Sequence, residues 1–193
     1  MITNFLESST LQFKYYQSLG EKTFNQLTEA ELLHQPNKTS NSIAILVNHM
    51  HGNMLSRWTD FLTTDGEKEW RKRDAEFEDM IQSEDDLKKK WNAGWECLFS
   101  ALQSVNEGNF NELIYIRNQG HTITEAILRQ LGHYSYHVGE IVFLGKMIKG
   151  NEWQSLSIPT GGSQAYNAVK FSKQKSKEHF TKEILKNPVE KNP

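Results

Sequence analysis

The chain of 193 residues has one cysteine, Cys97, and only four prolines. A single thiol excludes an internal disulfide framework and any cysteine-rich zinc module, and it fits a reducing, cytoplasmic setting. Long apolar runs are missing as well. With a mean hydropathy of -0.66, no stretch approaches the ~20 uninterrupted apolar residues of a membrane-spanning helix, so no membrane partner is expected. The N-terminal stretch Met1-Ile2-Thr3-Asn4-Phe5-Leu6-Glu7 lacks the basic start and apolar centre of a secretory signal. Surplus charge of one sign is absent overall, but the near balance is uneven. From Lys170 onward seven lysines face three glutamates, giving +4, so the net -2 leaves -6 on residues 1–169. An acidic body lacks the basic footprint that phosphate backbones require, which excludes nucleic acid as the expected partner. The length suits one domain, residues 1–165, with enough chain to bury a core without staples. Residues 166–193 read as a basic, partly disordered C-terminal tail.

With few breakers, long helical periods dominate. Phe5, Leu6, Phe13, Tyr16, Leu19 and Phe24 predict a first helix over about Thr3 to Leu27. Thr28 and Glu31 form a capping box for a short turn that Gln35-Pro36 stops. The second helix opens at Ser40-Asn41-Ser42 and is expected to run to about Thr64, before Asp65-Gly66, with Ile43, Val47, Met50, Met54, Trp58 and Phe61 as its seam. The charged connection from Glu67 to Asp79 is too long for a bare turn and should pack across the helices or serve a site. Ser83-Glu84-Asp85-Asp86 starts the third helix, with Leu87, Trp91, Trp95, Leu98, Leu102 and Val105 on its seam. Leu113 to Ile116 reads as a short strand or extended segment ahead of Asn118-Gln119-Gly120. The capping box Thr122-Ile123-Thr124-Glu125 begins the fourth helix, which ends at Lys149-Gly150. Four amphipathic helices imply an all-α fold, an antiparallel four-helix bundle with long connections and a C-terminal extension.

Chemistry concentrates in the histidines. His133 and His137, four residues apart, lie on one helical face within reach of one ion. Their stripe, with Ala126, Gln130 and Glu140, borders the apolar seam. Burying those groups is costly unless they are hydrogen-bonded or ligate a cation. Both readings stay open for the pair alone. His49, beside the second helix's seam, supplies a third imidazole in a position that faces such a pair in a bundle. Three neutral imidazoles with an open fourth position suit zinc, and also nickel or iron. His51 points away from His49 and reads as surface or supporting. No Glu-x-x-His accompanies these histidines, so a ferritin-like di-iron site is excluded. Cys97 reads as a small core residue rather than a nucleophile.

Asn48-His49-Met50 together with Gln130-Leu131-Gly132-His133-Tyr134-Ser135-Tyr136-His137-Val138-Gly139-Glu140 resembles the DinB/YfiT-like superfamily over roughly residues 1–165. The resemblance implies a four-helix bundle whose metal triad is His49, His133 and His137. It departs from many relatives where Val138-Gly139-Glu140 replaces Arg-Gly-Gln. Some relatives are metal-dependent hydrolases, and others transferases or isomerases using low-molecular-weight thiols, so the resemblance implies one divalent transition metal (Zn, Ni or Fe) per chain, a small-molecule substrate and a homodimer. Both chemistries use a cation that deprotonates bound water or thiol near neutral pH. Arg57 and Arg117 are the candidates for holding a thiol's carboxylates, although Arg57 also reads as a surface partner of Asp60. Glu140 is the candidate for orienting a ligand histidine or acting as a base. A non-catalytic protein whose metal site is structural is the competing reading, favoured if Glu140 is a fourth ligand.

Overall fold

After the first, each long helix begins where its sequence supplies a side-chain cap. In the computed structural model, which describes residues 2–186, α1 spans Ile2–Phe24 and α2 spans Glu29–Leu33. The Thr28 capping box forms: Thr28 Oγ1 accepts from the Glu31 N–H, and the Glu31 carboxylate accepts from the Thr28 N–H at 2.8 Å, so two orphan donors are satisfied. Ser42 and Ser83 cap α3 (Ile43–Trp58) and α4 (Glu84–Ser104). An antiparallel hairpin, β1 (Leu113–Ile116) and β2 (Gln119–Thr122), leads through the Thr122 capping box into α5 (Ile123–Lys149). Gly150, at φ 54, ends α5 in a left-handed conformation that glycine adopts without strain,. Two short helices follow, α6 (Ser163–Phe171) and α7 (Thr181–Lys186).

The fold is mostly helical, with this one small sheet among the described residues. Helix α3 packs chiefly on α4 and α1 on α5, and contacts of α3 with α5 and of α1 with α4 close the ring. Their seams meet in one core that includes Phe13, Val47, Leu87, Trp95, Leu98, Tyr134 and Ile141. Each such side chain contributes roughly 1.5–3 kcal/mol by leaving water. No described helix is long and apolar enough to cross a membrane.

One expectation needs adjustment. Helix α3 stops at Trp58, six residues before Thr64, because Asp60 turns to φ 47 and its carbonyl accepts from the Thr63 and Thr64 N–H groups at 3.0 Å. Phe61 still reaches the core from that turn, 4% exposed. The strand expected over Leu113 to Ile116 forms as β1, and the hairpin turns at Arg117–Asn118, since Ile116 pairs with Gln119. In the C-terminal extension α7 packs on α1, with Thr181 buried, the Phe180 and Tyr15 rings 6.0 Å apart and His179 Nε2 3.2 Å from Ser8 Oγ. Helix α6 straddles residue 165, and residues 187–193 of the tail lie outside the described residues. The Glu67–Asp79 connection lies against α3 through a 3-10 turn at Asp74–Phe77.

Candidate metal centre

His49 projects from α3, and His133 and His137 project from consecutive turns of α5. These three converge within 4.8 Å of one another. His133 Nε2 lies 3.4 Å from His49 Nε2 and 3.0 Å from His137 Nε2. With metal–nitrogen bonds of about 2.0–2.1 Å, ligand atoms stand ~3.3 Å apart on a tetrahedron and ~3.0 Å apart on an octahedron. The two spacings from His133 fall in that range.

The opposite ring nitrogens explain what the Nε2 atoms present. His49 Nδ1 is 2.9 Å from Glu76 Oε2, His137 Nδ1 is 2.7 Å from Glu140 Oε2 and His133 Nδ1 is 3.3 Å from Gln130 Oε1. Carboxylate and amide oxygens only accept here, so each Nδ1 donates, and in the neutral ring each Nε2 is then left with a lone pair. Three lone pairs then face one point. A proton on His133 Nε2 would bridge to one neighbour but not to both. Burial, followed by His137, His49 and the nearby Arg57 and Arg71, pushes the His133 imidazolium down to about 3. Burial also lowers His137, against the opposing pull of Glu140. Both shifts favour neutral imidazoles at His133 and His137, which together with His49 suit a soft-to-borderline divalent ion,.

Glu76 is the functional residue that sequence reading missed. It comes from the 3-10 turn of the charged connection and is 7% exposed. Arg71 grips it bidentately, Nε to Oε1 at 2.7 Å and Nη2 to Oε2 at 2.9 Å, and the Asn48 amide donates to its carbonyl at 3.0 Å. Burial alone would raise the Glu76 carboxyl, but hydrogen bonds from His49 and Arg71 outweigh it and hold it below the usual range. Phe77, next in the turn, stacks on the His49 ring at 4.6 Å. The one sequence signal was Gly52, a turn beyond His49 on the same face of α3. A Cβ there would fall on the Glu76 carboxylate. Gly52→Ala is therefore expected to displace Glu76 and to weaken metal binding about 10–100-fold, the usual cost of losing such a supporting partner. Competition with a chromophoric chelator measures it, and unchanged affinity would refute the role given to Glu76.

Glu140 binds the side of His137 that faces away from the convergence point, and among the described residues the group has three members, not four. Arg57 is buried rather than a surface partner of Asp60. It donates to the Gly66 carbonyl and pairs with Glu67 at 3.1 Å, and its Nε has no partner. Arg117, at the hairpin tip, reaches the same Glu67 carboxylate at 3.2 Å. Both arginines line a cavity of about 220 Å³ whose wall includes His49 and His133. Asn53, also on that wall, accepts from Tyr134 Oη at 3.1 Å, which in turn accepts from Trp58 Nε1 at 3.0 Å, tying the site to the core. His51 stays apart from the triad, and Cys97, 3.6 Å from Thr59 Oγ1, has its thiol pushed up by burial.

A family model described as "Protein of unknown function (DUF1572)" matches residues 1–162. No curated protein and no solved structure matches the chain.

Proposed function

The chain belongs to this DUF1572 family, and we propose that it is a metal-dependent enzyme on an antiparallel four-helix bundle of the DinB/YfiT-like kind. In this reading His49, His133 and His137 hold one divalent transition ion, zinc, nickel or iron. The enzyme is a cytoplasmic thiol S-transferase or hydrolase acting on a small molecule. The supporting observation is that His133 Nε2 lies 3.4 and 3.0 Å from the Nε2 atoms of His49 and His137, with the three ligand atoms all within 4.8 Å of one another, a convergence that one cation would satisfy,. Such an ion supplies Lewis acidity, lowering the pKa of a bound thiol or water. Glu76, Gln130 and Glu140 hold the imidazoles in the ligating tautomer, and Arg57 and Arg117 hold substrate carboxylates. The thiol is a borrowed low-molecular-weight one, since Cys97 lies outside the site with its proton retained.

The non-catalytic alternative calls for a closed site. Three histidines with Glu140 engaged at Nδ1 favour a site with an open position, as in catalytic rather than structural zinc centres,. Elemental analysis of the purified chain is expected to give about one transition metal per chain, consistent with a single three-imidazole site. The catalytic reading predicts turnover in a panel pairing bacillithiol, mycothiol or glutathione with electrophiles, run beside ester and amide substrates, with and without metal. Metal retention in both His49→Ala and His137→Ala would sink the triad, and silence across the panel would favour the structural role.

The homodimer has its own support in α5. Leu128, Tyr136, Phe143 and Met147 are all more than half exposed, while Gly132 and Gly139 have nothing against them. The pairs Leu128/Met147, Gly132/Phe143 and Tyr136/Gly139 are each centred between His137 and Val138. A second α5 laid antiparallel on the first therefore sets Tyr136 over Gly139 and Phe143 over Gly132, the self-complementarity that a two-fold interface requires. Light scattering is expected to show a dimer for the native chain and a monomer for Tyr136→Asp/Phe143→Asp. A dimer unaffected by that change places the interface elsewhere.

A further inference from the structure

The cavity beside the triad is unusually basic. Arg57, Arg71, Arg73, Arg117 and Arg129 line it, and among the described residues no acidic one does. The carboxylates within ion-pair reach of these five are Glu67, which bridges Arg57, Arg71 and Arg117 at 3.1–3.3 Å, Glu76 on Arg71, and Asp74, 3.9 Å from Arg73 and fully exposed. Five guanidiniums against three carboxylates leave two positive charges unbalanced, before any cation sits on the histidines.

Two features show that this surplus is built in. Arg57 is 7% exposed and keeps an unpartnered Nε, so the fold carries the cost of burying it beside other cations,. Arg117 stands at φ 55 and Asn118 at φ 60 in a two-residue hairpin turn. Such turns favour Asn-Gly, and an arginine at the first position is strained. Asp65 holds it there, accepting from the Arg117 and Asn118 N–H groups at 2.8 Å. On α5, Arg129 lies one turn before His133, on the same helix face, which puts a guanidinium beside the ligand cluster.

We infer that this cavity recognises a small dianion, a dicarboxylate or a phosphate monoester, as the acidic end of the substrate whose reactive end meets the triad. Guanidiniums pair bidentately with both groups. A cavity of about 220 Å³ accommodates a compact acidic group among these guanidiniums. The inference rests on the proposed metal site only for where the reaction occurs; the binding of the anion stands on the arginines.

Calorimetric titration tests it, with succinate, methyl phosphate and acetate added to the full chain at constant ionic strength, both metal-loaded and chelator-treated. One or both dianions are expected to bind at least tenfold tighter than acetate. The tighter of the two identifies the acidic group. Arg129→Gln and Arg117→Asn should each weaken that binding by about tenfold, the usual scale for a lost charge-assisted hydrogen bond. Arg117→Asn should do so with a Tm at or above that of the native chain, because asparagine tolerates the turn; a purely structural arginine would lower it. Binding that persists after chelation and depends on the arginines supports the inference even if no metal is retained, a result that would refute the metal reading instead. Equal affinity for acetate and both dianions, or anion binding that needs metal and ignores both substitutions, overturns it.

Discussion

Glu76→Ala is expected to destabilise the protein by about 3–5 kcal/mol, the cost of leaving a buried charge without its partner. The carboxylate is the meeting point of a guanidinium and an imidazole, and all three groups are secluded: side-chain exposure is 8% for Glu76, 2% for Arg71 and 5% for His49. Without it, Arg71 keeps only Glu67, at 3.3 Å, and His49 Nδ1 loses its acceptor. The same change should lower metal affinity by about 10–100-fold through the freed His49 ring. Burial would lower the charge of Arg71, but Glu76 and Glu67 together raise its pKa, so Arg71 stays charged and its isolation is the main cost. Adding Arg71→Met to Glu76→Ala should therefore recover much of the stability but none of the metal affinity. The native carboxyl is held below its ordinary value, so its stabilisation is present above the unfolded pKa, near 4.5, and is lost as pH falls below it,. Urea unfolding of the three proteins, with metal analysis alongside, checks all of this. A Glu76→Ala midpoint equivalent to less than about 1 kcal/mol of loss would mean that the triangle is not what holds the connection.

The reason Glu76 escaped sequence reading is physical. His133 and His137 announce themselves because a helix repeats every 3.6 residues, and His49 because its helix has a readable seam. Glu76 lies in a segment with no period, 27 residues from its partner, and is one acid among several in a charged run. Its position follows from a 3-10 turn, which leaves little trace in composition. Gly52 marked the space but not the occupant. Arg57 illustrates the converse: it follows His49 by eight residues, two turns along the same stripe as His49 and Asn53, so its burial was legible, yet the nearby Asp60 suggested an ordinary surface pair. Where α3 was overextended, the cause is Asp60 itself, which leaves the helix at φ 47 although the apolar spacing continues through Phe61. The caps at Thr28, Ser42, Ser83 and Thr122 were readable because each is a local interaction between residues three apart,. Docking of α7 on α1 was not, since it depends on contacts such as Phe180 with Tyr15 across most of the chain.

His133→Ala should abolish tight metal binding while easing the metal-free protein. His133 is the ligand nearest to both others, at 3.4 and 3.0 Å. Zinc sites of four ligands bind with about 10–16 kcal/mol, or ~2.5–4 kcal/mol for each ligand, so losing one is worth roughly a hundred- to a thousand-fold in affinity. Without metal the same side chain is a liability. Its imidazole titrates near 3 in the folded chain against an ordinary 6.5, because burial and then His137 and His49 oppose its charge. Below pH 6.5 the unfolded chain takes up a proton that the folded chain refuses, so stability present above that pH is lost as pH falls toward 3. Chelator-treated native protein should therefore lose more Tm between pH 7.5 and pH 5 than chelator-treated His133→Ala. With metal bound the order at pH 7.5 reverses, because the ion stabilises only the protein that retains it. Equal pH slopes in the two metal-free proteins would show that His133 is not held neutral, and an ion retained at native affinity by His133→Ala would show that two histidines suffice.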